Sequence, residues 1–125
     1  MSKHKLNLKT LDTDLQLENI KADVPTADGE TYEIEFKPMT GKTFSQYISL
    51  IKSGTIDSNS MYQILLRHLL NPESGTVYGG KFISDFMEAY PVLALNVAMT
   101  ILTKSLELYS DREQALKNSL SEQVS

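Results

Sequence analysis

Tyr32-Glu33-Ile34-Glu35-Phe36-Lys37-Pro38 decides the fold. Tyr32, Ile34 and Phe36 alternate with Glu33, Glu35 and Lys37, the period-2 pattern of a strand with one apolar and one charged face. Pro38 ends that pattern because it lacks the N–H a strand ladder needs. Upstream, Ile20, Ala22 and Val24 alternate in the same way, and Pro25 and Asp28-Gly29 mark a turn between the two runs. The two runs read as a β-hairpin over 20–37.

Downstream of Pro38 the period changes to that of a helix. Thr43 and Gln46 have capping-box spacing, and Phe44, Tyr47, Ile48 and Ile51 follow at i, i+3, i+4 and i+7. Gly54 is placed to stop this helix. A second helix is expected from about Asp57 to Ser60, with Met61, Ile64, Leu65, His68 and Leu69 on one face and Asn71-Pro72 at its end. Tyr62, Leu66 and Leu70 widen its stripe.

After a polar, glycine-rich loop over 73–80, a short third helix carries Phe82, Ile83, Phe86 and Met87. Pro91 then restarts the chain in the favoured first-turn position. The fourth helix is expected to run to about Tyr109 and to bury Ala94, Val97, Ala98, Ile101 and Leu102. The fold class is therefore α+β and mostly α, a short N-terminal hairpin followed by a bundle of about four helices. Residues 1–19 read as a weakly ordered arm, because Leu8, Leu11 and Leu15 suggest a helix while Leu15 and Leu17 alternate like a strand. Residues 20–109 form the single globular domain, with helices over 43–109. Residues 110–125 read as a flexible tail, frayed helix or disorder, with few apolar side chains to bury.

With 125 residues the chain has room for one core and none for a cleft between two lobes. Hydrophobic residues at 41% and charged residues at 22% argue against a disordered chain. A net charge of −4 disfavours a phosphate backbone as ligand, so no nucleic acid is expected. The lack of cysteine removes disulfides, thiolate metal sites and a cysteine nucleophile together, and fits a reducing compartment. Lys3, Lys5 and Lys9 are not followed by an apolar run, so the N-terminus does not read as a secretory signal. Asn96 and Thr100 interrupt the densest apolar stretch, Pro91 to Leu102, well short of the roughly 18 to 20 residues a membrane span needs. A soluble, cytoplasmic protein is expected.

Chemical motifs are incomplete. Gly75 to Lys81 has P-loop spacing, but Phe82 stands where the motif needs Ser or Thr for magnesium, and no buried strand precedes it. His4 and His68 lie on different elements without partners at ligand spacing. Asp12 and Asp14 lack the glycine and terminal glutamate of a calcium loop. Glu33 and Glu35 share the charged strand face, where a solvated pair is the common case. An enzyme is not expected, nor a cofactor or metal. What remains is apolar surface, with Met39, Met61, Met87 and Met99 among Phe and Tyr side chains, a composition suited to adaptable packing. Surplus apolar surface of this kind serves oligomer or partner interfaces.

The order of elements resembles that of phage tail assembly chaperones, small proteins made just before the tape-measure protein of long-tailed phages. The likeness runs from about Ile20 to Tyr109. It rests on the β segment leading through Phe36-Lys37-Pro38-Met39-Thr40 into a helix, and on Phe82-Ile83-Ser84-Asp85-Phe86-Met87-Glu88-Ala89-Tyr90-Pro91 entering an apolar helix. The resemblance implies a homo-oligomeric factor without catalytic residues, absent from the mature virion. Such a factor binds the tape-measure protein, keeps it soluble and recruits tail-tube subunits. It also implies a longer frameshifted product, for which Lys117-Asn118 offers an A-rich codon pair. Phe82, Phe86, Met87, Tyr90 and Leu93, read as exposed apolar members of the third and fourth helices, are the expected contact residues. Two other classes stay open: a structural tail or connector protein of the virion, and a small bacterial adaptor domain.

Overall fold

The computed structural model describes residues 3–14, 16–54 and 58–124. Strands β1 (Ile20–Pro25) and β2 (Thr31–Phe36) pair antiparallel, with Ile20 opposite Phe36 and Val24 opposite Tyr32. Their loop closes through Thr26, whose N–H donates to the Glu30 carbonyl at 2.9 Å and whose hydroxyl bonds the Asp28 carboxylate. That hydroxyl, followed by the Glu30 backbone, holds the Asp28 carboxyl below its ordinary pKa. Gly29 supplies the positive φ, 84°, that the turn requires.

The apolar face of the hairpin is buried unevenly. Val24 and Phe36 are fully buried, Ile34 is half-buried and Tyr32 is exposed. The long helix α4 (Pro91–Val124) packs on β1, and its Asn96 amide donates to the Pro25 carbonyl at 3.4 Å. The cover thus lies over β1 and leaves the Tyr32 end of β2 open. Alternation alone cannot reveal that difference.

Helix α1 (Gly41–Lys52) begins two residues before the expected start. Its N-cap is Thr40, whose hydroxyl accepts the Thr43 N–H at 3.2 Å, so the Thr43–Gln46 box is not the cap. Gly54, at φ 72°, follows its end as expected. No α1 residue is fully buried: Phe44 and Tyr47 are half-buried while Ile48 and Ile51 stand exposed.

Helix α2 (Ser58–Leu66) is shorter than its apolar pattern suggests, and Asp57, expected near its start, lies outside the described residues. Leu69 and Leu70 leave the helix and join the free edge of β2. The Leu70 N–H donates to the Glu35 carbonyl at 2.9 Å, and the Lys37 N–H to the His68 carbonyl at 2.9 Å. Covering the edge satisfies backbone groups that would otherwise face solvent. The Pro72 ring also disfavours helical backbone at Asn71. A tight turn then returns Val77 to bridge Leu70, with Gly75 at φ 72° donating to the Asn71 carbonyl.

Helix α3 (Gly80–Ala89) and α4 meet at Tyr90-Pro91. Ala94, Val97, Ala98 and Ile101 form the buried stripe of α4, packed in one cluster with Val24, Phe36, Met39, Leu65, Leu66 and Ile83. The stripe continues at Ser105, fully buried, whose hydroxyl accepts the Met39 N–H at 3.1 Å. One turn on, the Tyr109 hydroxyl donates to the Met39 carbonyl at 2.7 Å, and its ring meets Phe44 edge-on with centroids 5.3 Å apart. The Phe36–Thr40 connection is thereby clamped to α4 through both backbone groups of Met39. Ser105→Ala strands the Met39 N–H and is expected to cost about 1 to 3 kcal/mol. A shift in the urea midpoint at unchanged slope is the measurement.

The fourth helix does not stop near Tyr109 but continues to Val124. Residues 110–124 contain no glycine or proline and are rich in Glu, Gln, Ala, Leu, Lys and Arg, which sustain a helix without burial. This extension touches the arm: the Arg112 guanidinium donates to the carbonyls of Asp12 at 2.8 Å and Asp14 at 3.1 Å. The described arm residues have no helix or strand, and Leu15, on which the competing patterns depended, lies outside the described residues. Because the extension adds nothing to the buried core, truncation after Tyr109 should leave Tm within a few degrees. Loss of the cooperative thermal transition would contradict this.

Candidate functional site

Helix α3 has one broad apolar face, buried on one flank and open on the other. Ile83 is buried at 4% exposure, and Phe86 and Met87 pack half-buried against the core. On the open flank of that face Phe82 is 70% exposed, and beyond the helix end Tyr90 and Val92 are 63% and 67% exposed. An open apolar groove of about 270 Å³ lies between this face and the end of α2, lined by Leu66, Leu69, Tyr78, Phe82, Ile83 and Phe86. Tyr78 and Phe82 form one wall, with ring centroids 6.4 Å apart. Phe86 and Tyr90 stand at the same separation along the helix.

Of the five expected contact residues, Phe82 and Tyr90 are exposed. Phe86, Met87 and Leu93 are corrected from exposed to half-buried, since each packs against the core cluster. Phe86 does both, because one side of its ring lines the groove. Tyr78 and Leu69 were missed. Tyr78 sits in a stretch that reads as polar loop, and Leu69 reads as helix until its bridge to Phe36 is seen.

The other motifs take structural places. Lys81 lies in the first turn of α3, and the segment before it bridges Leu70 instead of leaving a buried parallel strand. His68 is half-buried; burial lowers its imidazole pKa, the Lys37 charge lowers it further and the Lys37 backbone opposes both. Asp12 accepts the Asp14 N–H at 3.0 Å, closing a local turn of the arm. Glu33 is exposed opposite Asp23, and Glu35 half-buried opposite Lys21. Among the described residues no three His, Cys, Asp or Glu side chains converge on a point where a metal could sit.

No family model, curated protein or solved structure matches this chain.

The groove offers aromatic rings and aliphatic side chains, which suits burial of another apolar side chain. By length and composition α4 could cross a membrane over Pro91–Leu120. The same stretch carries the buried stripe Ala94 to Ser105, as the core helix of a packed domain does.

Proposed function

We propose that this chain is a non-catalytic binding factor of the tail-assembly-chaperone kind. Its exposed aromatic face on α3 takes a long, apolar-faced helix, the tape-measure protein of a long-tailed phage. By covering that helix it keeps the client soluble in the host cytoplasm and helps bring tail-tube subunits to it. One observation carries the reading: Phe82, at 70% exposure, lines an apolar groove, and Tyr90, at 63%, stands beside the groove's Phe86. Exposed rings of this size around a groove are uncommon unless something covers them. The resemblance in element order supplies the class of client.

A helix laid in a groove is read by side chains at i, i+3, i+4 and i+7. The spacing of Phe82 and Phe86 along one side of α3, with Tyr90 at its C-cap, lets a facing helix interdigitate with them. Co-expression tests the reading. The tape-measure protein should be recovered soluble and bound to this chain, and aggregated without it. Purified particles should lack the chain. Finding it as a stoichiometric virion component would favour a structural tail protein instead, and an insoluble client in both conditions would sink the proposal.

A further inference from the structure

The outer backbone edge of β1 is open. The Thr26 N–H bond to the Glu30 carbonyl fixes which residues of the hairpin exchange hydrogen bonds, so Val24, Ala22 and Ile20 turn their backbone groups toward β2. Lys21, Asp23 and Pro25 then turn theirs outward, along the far edge. Across the sheet, the backbone of His68 and Leu70 covers the Glu35 and Lys37 end of β2. On β1 there is no such cover: among the described residues the outward N–H and C=O groups of Lys21 and Asp23 have no partner. The outward Pro25 carbonyl accepts the Asn96 amide at 3.4 Å, which sets the flank of α4 alongside this edge.

The edge and that flank bound an open groove of about 360 Å³, whose lining includes Asp23, Pro25, Met99, Thr103 and Lys104. Met99 is 43% exposed there. On the charged face of the hairpin Asp23 stands opposite Glu33, and like charges so placed disfavour each other. Lys21 instead stands opposite Glu35. Lys104 is already paired with Glu107 at 3.5 Å, and among the described residues neither Asp23 nor Glu33 has an ion pair. The charge left unanswered at the edge is therefore negative.

We infer that this edge binds an extended segment of a partner protein, added as a strand beside β1 with a basic residue opposite Asp23. The backbone chooses the occupant. Outward groups two residues apart repeat about every 6.8 Å, and an extended main chain presents donors and acceptors at that repeat. Alternation sets the pattern of the segment: the residues flanking the basic one turn toward Met99 and Thr103 and are apolar. The site uses β1 and the flank of α4, so it does not rest on the client-binding reading at α3.

The peptide acetyl-Thr-Val-Lys-Val-Thr-amide, titrated into the isotope-labelled full chain and followed by NMR, tests it. It should shift the Lys21 and Asp23 amides and slow their hydrogen exchange. Methylating the backbone nitrogen of the peptide's lysine should weaken binding at least ~5-fold. Asp23→Lys, at an exposed site, should keep the circular dichroism and weaken this peptide about 5-fold, and replacing the peptide's lysine by glutamate should restore the loss. Phe82→Glu should change none of this. No response at β1 to millimolar peptide would overturn the inference, and so would binding indifferent to the backbone methyl. Lys21 and Asp23 amides already protected in a self-associating free chain would assign the edge to a second copy and overturn it too. Indifference to Asp23→Lys would contradict the basic residue.

Discussion

Phe36→Ala is expected to destabilise the protein by about 3 to 5 kcal/mol, a large part of the roughly 5 to 15 kcal/mol that a domain of this size has. Phe36 is fully buried at the point where three pieces of chain meet. It ends β2 opposite Ile20, bridges Leu69 through its backbone, and packs in the cluster that includes Met39, Leu65 and Ile101. Its ring cannot be replaced from either side, because both neighbours are fixed by backbone pairing, so truncation leaves a cavity and not a collapse. Tyr32→Ala is the control on the same strand face. At 53% exposure it should change stability by about 0.5 kcal/mol or less. Urea denaturation of both variants measures the contrast, and equal losses would refute the uneven burial of the hairpin.

Phe82→Glu is expected to leave the fold intact and weaken client binding by at least 2 kcal/mol, about 30-fold. At 70% exposure its ring gives the core little, so a charge there stays hydrated in the free protein. Once a helix covers the groove, the same charge is buried beside Tyr78 and Leu69 with no partner. Phe86→Glu is the less informative change. Phe86 packs against the core as well as lining the groove, so its loss mixes unfolding with binding.

The hairpin was legible because alternation, a Pro25 boundary and Asp28-Gly29 all indicate the same local structure. Gly54 and Pro91 were legible because each has one conformational use at a helix boundary. The end of α2 was not. Leu65, Leu66, Leu69 and Leu70 suit a helix face equally well, and the pull of the open β2 edge is a tertiary effect invisible in a local window. Thr40 and Thr43 compete as caps, and the first wins because Gly41 and Lys42 are already helical. The extension of α4 was missed by weighing what it could bury; its helix formers keep it regular without burial. At the candidate surface, Phe82 and Tyr90 could be read from aromatic spacing. Tyr78 and Leu69 arrive there only through the turn at 71–77 and the bridge to Phe36. Ser105 gave no signal, since one hydroxyl on an apolar stripe shows its use only when the Met39 N–H stands beside it.

The most direct test is the affinity of the purified chain for a helical fragment of the tape-measure protein, measured by calorimetry for wild type and Phe82→Glu side by side. The account predicts saturable binding by the wild type and at least a ~30-fold weaker constant for the variant, with superimposable circular dichroism. Equal affinities from two equally folded proteins would contradict it.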